Sequence, residues 1–257
     1  MLKITKNFYL RSLALAGAIA LANPSSLTPV RAEAESESLQ SIPLEWNHNS
    51  PDFSEDGRPK RTAGGASRGE CQKSDLPLTA LIPNLPVALT AANSPTFWFY
   101  LPYTLRPEHS IEFVLKDSQD KYIYRTKLTG KNTSPGIVGL NLPAKVNIEP
   151  EQNYNWYFVV YCQPQNPDKF VYVSGSLQRI DRPHLNSSLK LSSPKERLYF
   201  YATEGLWYDA VTNLAKQIKA NPQDNVIQKD WETLLKSVGL EEELASKPFV
   251  ACCSLKE

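Results

Sequence analysis

The sequence predicts a mainly β protein with an α-helical C-terminus: an antiparallel, immunoglobulin-like β-sandwich, then a helical hairpin and a third helix. Three features of the 257-residue chain carry that expectation. Between residues 76 and 180 the apolar pattern runs in short stretches rich in β-branched and aromatic residues, several alternating with a period of two. Turn-forming Pro, Asn, Asp and Gly separate those stretches throughout, as in a sandwich of short strands. After Pro183 the apolar period lengthens to about 3.6 residues, that of a helix with one buried face.

In chain order, Lys3, Lys6 and Arg11 precede the apolar run 13–22, and Val30-Arg31-Ala32 offers a small-x-small cleavage site. Residues 1–32 therefore read as a secretory signal peptide, with cleavage after Ala32 preferred to cleavage after Ala22. The apolar run is about half of the ~20 residues a membrane helix needs, and no later stretch is apolar enough to span. The expected product is periplasmic or extracellular, with no membrane span after cleavage. Residues 33–70 are mostly Ser, Glu, Pro, Asn, Arg and Gly and read as a flexible linker. Gly64-Gly65, between Arg61 and Arg68, lacks the frame of a phosphate loop and reads as a turn before Cys71.

The sandwich domain is expected over 71–182. Leu76 to Ile82 is its first strand. Thr96 to Tyr103 carries aromatics on both faces, the pattern of a strand covered twice. Ser110 to Lys116 and Lys121 to Leu128 flank Asp117-Ser-Gln-Asp120, a hairpin on a four-residue loop. Gly136 to Leu142 follows. In Tyr154 to Cys162, alternation puts Tyr154, Trp156, Phe158, Val160 and Cys162 on one face, and Asn155, Tyr157, Val159 and Tyr161 on the other. Lys169 to Ile180 closes the set, with Gly175 read as a bulge.

A C-terminal helical segment over 193–246 is expected to pack on the sandwich. Ser193-Pro194-Lys195-Glu196 is a capping box with proline at the first helical position. Gly205 ends that helix. A second, from Leu206 to Ala220, turns Leu206, Ala210, Leu214 and Ile218 inward beside Trp207, Val211 and Ala215. A third, from Asn225 to Ser237, buries Ile227, Trp231, Leu234, Leu235 and Val238 and ends at Gly239.

Four cysteines, at 71, 162, 252 and 253, occur in a compartment where disulfides persist. Cys71 with Cys162 is the expected bridge; it closes a loop of about 90 residues and contributes roughly 4–5 kcal/mol on the chain-entropy model. Adjacent Cys252 and Cys253 form the least comfortable set, because a bond between neighbours strains the backbone. They read as thiols of an unstructured end, or as an intermolecular or vicinal redox disulfide.

Chemistry is harder to find. Lys plus Arg number 28 against 27 Asp plus Glu, so no net field favours nucleic acid. His48, His109 and His184 have no metal-ligand spacing, and no cofactor motif occurs. Ser174-Gly-Ser176 lies inside a strand without the turn that exposes a nucleophile. Asp117 and Asp120 form a turn without needing calcium. Glu204 and Asp209 bracket Gly205 between aromatic-rich helix ends, where an acid and a base for glycoside hydrolysis would fit. A carboxylate in the first helical turn, as at Asp209, is equally what the helix dipole favours. Trp98, Tyr100, Tyr103, Tyr157 and Trp207 join Glu204 and Asp209 as the candidate binding surface, a ring platform for sugars if exposed and plain core if buried.

Two resemblances add to this. Gly205, Trp207, Ala210, Leu214 and Pro222 stand within Tyr201 to Pro222 where a tetratricopeptide repeat has its glycine, aromatic, small residue, large apolar residue and proline. The segment 201–222 thus resembles one such helical hairpin, although no small residue stands near Leu198 and no second copy follows. The motifs Arg61-Thr-Ala-Gly-Gly-Ala-Ser-Arg-Gly-Glu-Cys71, Leu78-Thr-Ala-Leu-Ile-Pro83, Pro95-Thr-Phe-Trp-Phe-Tyr-Leu-Pro-Tyr103, Pro135-Gly-Ile-Val138, Gly205-Leu-Trp-Tyr-Asp209 and Trp231-Glu-Thr-Leu-Leu235 together resemble a cyanobacterial family of exported proteins catalogued as domain of unknown function 928. That resemblance implies export and supplies no activity.

The expected role is a non-catalytic binding or accessory protein of the periplasm or cell envelope, with an envelope protein or glycan as partner. An envelope hydrolase acting on glycan or peptide, and a partner-binding assembly factor, are the alternatives. A cleft gathering Glu204, Asp209 or a histidine with a perturbed pKa favours the hydrolase. An exposed apolar groove along Leu206, Trp207 and Ala210 favours the assembly factor.

Overall fold

Two facing sheets need a ring-rich seam, and the alternation in Thr96 to Leu101 and Asn153 to Tyr161 supplies one from each side. The computed structural model describes residues 44–46, 74–182 apart from Pro164 and Pro167, and 193–255. The expected signal peptide, Cys71 and all of the expected linker except 44–46 lie outside these residues. The strands are β1 Thr79–Ala80, β2 Ala88–Thr90, β3 Thr96–Leu101, β4 Ser110–Asp117, β5 Tyr122–Thr129, β6 Gly136–Asn141, β7 Asn153–Tyr161, β8 Phe170–Arg179 and β9 Ser254–Leu255. The helices are α1 Pro194–Thr203, α2 Trp207–Ala220 and α3 Asn225–Ser237, followed by a 3₁₀ turn at Glu242–Ser246.

Among the described residues the strands form a small sheet in the order β1-β3-β6 and a large one in the order β2-β8-β7-β4-β5-β9. The protein is thus mainly β with C-terminal helices. The sheets are not wholly antiparallel as expected, because β2 pairs with β8 in parallel. Ala88-Leu-Thr, three residues of which Thr90 alone favours strands, is too short to carry a strand signal of its own; its pairing is set by the neighbouring β8 edge. The β4–β5 hairpin forms at the expected place, with Asp117 Oδ1 accepting from the Gln119 and Lys121 amides.

The two sheets meet through aromatic rings. Phe99 of β3 stacks on Phe158 of β7 at 4.0 Å, and Phe97 lies 4.8 Å from Phe113 and 5.7 Å from Trp156. The other face of β3 is covered too: Trp98 meets Phe249 edge-on at 5.7 Å and donates its Nε1–H to Thr212 Oγ1 of α2 at 3.0 Å. Rings on both faces therefore mark a strand buried twice, as expected.

Gly175 is not a bulge. The β7–β8 register runs unbroken through it, opposite Trp156. A Cβ there would sit 2.5 Å from the Trp156 ring and 2.6 Å from Ile82 Cδ1, so the glycine is the space the indole occupies.

The helices begin and end as the sequence requires. Ser193 and Glu196 complete the capping box of α1, and Gly205 adopts φ 69° to turn the chain into α2. Trp207 donates to the Leu81 carbonyl at 2.8 Å, and the Tyr208 hydroxyl accepts from Trp156 Nε1 at 2.8 Å. Asp224 caps α3 through the Val226 and Ile227 amides. Leu206, Trp207 and Ala210 are all buried, so the apolar groove expected of an assembly factor is filled by the protein's own core. Trp46, within the stretch expected to be linker, is buried against Trp207 at 5.0 Å.

The tail is ordered rather than loose. Pro248 and Val250 hydrogen-bond to Ile137 of β6, and β9 then pairs with β5, so the tail joins the edge of the small sheet to the edge of the large one. Cys252 and Cys253 lie between these contacts, bonded to each other with Cα atoms 3.7 Å apart. Cys162 is also disulfide-bonded. Among the described residues no helix is long and apolar enough to cross a membrane.

Replacing Gly175 by alanine is expected to destabilise the protein by about 1–3 kcal/mol, the usual cost of overpacking a tight core. Urea unfolding of Gly175→Ala checks this; an unchanged midpoint would show that the indole has room to move.

Candidate functional site

A polar stripe runs along α2 beside its buried row. Asp209, Thr212, Asn213 and Lys216 follow the i, i+3, i+4, i+7 spacing that puts side chains on one helical face. On α1, Arg197 and Tyr201 are four residues apart and share a face likewise. These two faces and the β2–β3 turn enclose a cleft of about 360 Å³, to which the turn contributes Thr90, Ser94 and Thr96 and α2 also Tyr208. The cleft stands at the lower end of the ~300–1,000 Å³ typical of small-molecule sites.

Asp209 is the pivot of this site. Its Oδ2 accepts from the Thr90 hydroxyl at 2.8 Å and from the Ala91 amide at 3.0 Å, tying α2 to the end of β2. Burial pushes its carboxyl up to about 6, against the opposing pull of the Ala91, Thr90, Asp209 and Ala92 donors. Burial raises the Tyr201 phenol as well, helped by Asp209 and opposed by Arg197. Thr96 donates to Asn141 Oδ1 at 2.6 Å, and Tyr208 is committed to Trp156. Among the described lining residues Asp209 is the single carboxylate, alongside two cations, Arg197 and Lys216.

Glu204 is not in the cleft. It caps the end of α1 and pairs with Arg182 at 3.7 Å, so the structure does not bring the two expected carboxylates to one ligand. His109 is spent locally, its Nδ1 accepting from the Arg106 amide at 2.9 Å. Among the described residues no group of three or more His, Cys, Asp or Glu could hold a metal ion.

The candidate ring platform divides by burial. Trp98, Tyr100, Tyr103 and Trp207 are buried, which makes them core. Tyr157 is half-buried on the outer face of the large sheet, where Lys116 Nζ lies 5.9 Å from its ring and 4.8 Å from that of exposed Tyr122. On the same face Glu112 is buried and accepts from Arg125 and from Tyr161. Burial alone would raise the Glu112 carboxyl, but the Arg125 and Tyr161 hydrogen bonds and the Arg125 and Lys127 charges outweigh it and hold the group below its usual range.

Arg197, Thr212, Asn213 and Lys216 were not singled out in the sequence. For the three on α2 the signal was present as the polar stripe flanking Leu206, Ala210, Leu214 and Ile218, but such a stripe ordinarily faces solvent. Nothing local says that a strand end closes over it.

Compared with known proteins, residues 63–249 match the family model described as Domain of Unknown Function (DUF928). No curated protein matches the chain.

Asp209 makes stability fall as pH rises. The folded protein keeps this proton until about pH 6, while the unfolded chain releases it near the ordinary value of 3.8. Between those values the folded state binds more protons, so the proton stabilises it at low pH and the benefit is lost on the way up. Urea unfolding of wild type and Asp209→Asn from pH 4 to 7 is expected to show the difference between them shrinking or reversing by on the order of 2 kcal/mol. A constant difference would mean that Asp209 ionises normally.

Proposed function

We propose that this chain, which belongs to the family described as Domain of Unknown Function (DUF928), is an exported, non-catalytic binding or accessory protein of the periplasm or cell envelope. One observation carries the binding reading: the described residues of the cleft between α1, α2 and the β2–β3 turn present two cations and several hydroxyls around one carboxylate, and Oδ2 of that carboxylate is already engaged by the protein's own Thr90 and Ala91. Double displacement or inversion at a sugar needs two carboxylates facing one bond. The described residues of the cleft lining offer one.

Export rests on the basic, apolar and small-residue pattern of 1–32. Disulfide chemistry agrees with that reading. Cys252 and Cys253 are bonded to each other and Cys162 is bonded, which leaves Cys71 as the remaining sulfur of four and supports the Cys71–Cys162 bridge. Such bonds persist in an oxidising compartment.

The raised pKa of Asp209 in a cleft favours a second reading, a glycan hydrolase with Asp209 as general acid. A co-sedimentation assay separates the two. The purified full chain is incubated with isolated envelope polysaccharide, and both bound protein and newly released reducing ends are measured. Retention without release is expected. Release that disappears in Asp209→Asn would establish the hydrolase, and absence of retention would overturn the binding reading. Peptide mass spectrometry of the exported protein is expected to give an N-terminus at residue 33 and a Cys71–Cys162 linked peptide.

A further inference from the structure

We infer that the bonded pair Cys252–Cys253 is a redox site: it takes an electron pair from a Cys-x-x-Cys dithiol oxidoreductase of the export compartment, and its opening releases β9 from the β5 edge. The site is separate from the cleft and from any ligand held there; it shares with the functional reading the premise of export alone.

Adjacency makes this bond easier to open than the bond of Cys162. A trans peptide holds neighbouring Cα atoms ~3.8 Å apart, closer than the ~4.4–6.8 Å a disulfide prefers, and departure from that range makes a bond more reducible. A bond between neighbours also closes the shortest loop a chain allows, so the fold reinforces it least. The bond of Cys162, for which Cys71 is the remaining sulfur, closes a loop of about 90 residues and is reinforced far more. Cys252 and Cys253 are half-buried against the core rather than enclosed by it, which leaves the pair open to an attacking thiolate. One thiolate of the reductant attacks a sulfur of the pair and forms a mixed disulfide, while the other cysteine leaves as a thiolate. The reductant's second thiolate then attacks its own sulfur in that mixed disulfide and expels the remaining cysteine. The pair ends as two thiols, having gained two electrons and two protons, and the reductant ends as its own disulfide.

The tail is anchored unequally on the two sides of the pair. Upstream, the Ile137 amide donates to the Pro248 carbonyl at 2.7 Å and the Ile137 carbonyl accepts from the Val250 amide at 2.9 Å. The Phe249 ring between them lies 5.7 Å from Trp98 and 5.4 Å from Trp231. Downstream, β9 meets β5 through two residue pairs, Leu255 with Leu128 and Ser254 with Thr129. A strand this short offsets little of the entropy lost in ordering its segment, so β9 depends on how the chain is delivered to it. Ala251, Cys252 and Cys253 make that delivery, and the ring closed by the bonded pair fixes the peptide between the two cysteines. Reduction frees those backbone angles, and the weaker side lets go. The contacts with β6 stay, and the β5 edge is uncovered at Leu128 and Thr129.

The test treats the purified full chain with excess reduced thioredoxin, a Cys-x-x-Cys dithiol, and quenches samples over time by alkylation. Peptide mass spectrometry is expected to find two alkyl groups on the peptide carrying Cys252 and Cys253 at least tenfold sooner than any on the Cys162 peptide. Hydrogen exchange on the same samples should quicken about tenfold or more in the peptides covering 128–129 and 254–255, with the β6 peptide unchanged. The double variant Cys252→Ser, Cys253→Ser should exchange like the reduced protein whether or not thioredoxin is present. A pair that stays closed, or that opens with or after the Cys162 bond, overturns the redox site. Opening that leaves exchange at 128–129 and 254–255 unchanged overturns the release of β9. Neither result bears on retention by envelope polysaccharide, which decides the binding reading separately.

Discussion

Trp156 joins three parts of this protein that would otherwise be separate. Its indole lies on the inner face of β7 over Gly175, touches Phe97 and Phe99 of the small sheet, and gives its one hydrogen to the Tyr208 hydroxyl of α2. A fully buried indole N–H without an acceptor costs about 1–3 kcal/mol. The need to satisfy that hydrogen therefore fixes where the first turn of α2 enters the structure. Trp207 fixes it a second time through the Leu81 carbonyl. With two consecutive residues anchored in this way, the rotation of α2 about its axis is determined, and the direction of every later side chain follows.

The cleft is a consequence of that rotation. Once Trp207 and Tyr208 point inward, Asp209, Thr212, Asn213 and Lys216 must face the β2–β3 turn, and Asp209 reaches the end of β2. Asp209 and Glu112 then illustrate how partner type decides the fate of a shielded carboxylate. Glu112 has a guanidinium and a phenol on it and is held in its charged form. Asp209 has neutral donors alone, which do not repay the lost hydration, and it keeps its proton to about pH 6.

Sheet edges are managed with short additions rather than long strands. The two-residue β9 covers β5, and β2 covers β8 in parallel. An uncovered edge is a template for association, and short covering segments blunt it at little cost in chain length. The tail that supplies β9 crosses from one sheet to the other at the bonded pair Cys252 and Cys253, so a segment that looks featureless in sequence is part of the architecture.

What was legible in the sequence was whatever depends on neighbours close in the chain. The hairpin at Asp117 to Asp120, the alternation of Tyr154 to Cys162, the Ser193 capping box and the stop at Gly205 are all local geometry, and each is found where the residues place it. Exposure and proximity are not local. Trp98, Tyr100, Tyr103 and Trp207 have the same composition whether they form a platform or a core, and only tertiary packing, such as that of α2 and Phe249 on Trp98, made them core. Glu204 and Asp209 are five residues apart, yet the turn at Gly205 sends one to Arg182 and the other into the cleft. The strand β2, the parallel pairing and the cleft all arise from contacts between segments more than eighty residues apart, and no pattern within either segment encodes its distant partner. The sequence by itself determined the longer elements, their caps and most of their buried faces; the tertiary structure decided the short edge strands and which polar face would meet a strand end, because that is a property of two surfaces and the chain specifies them far apart.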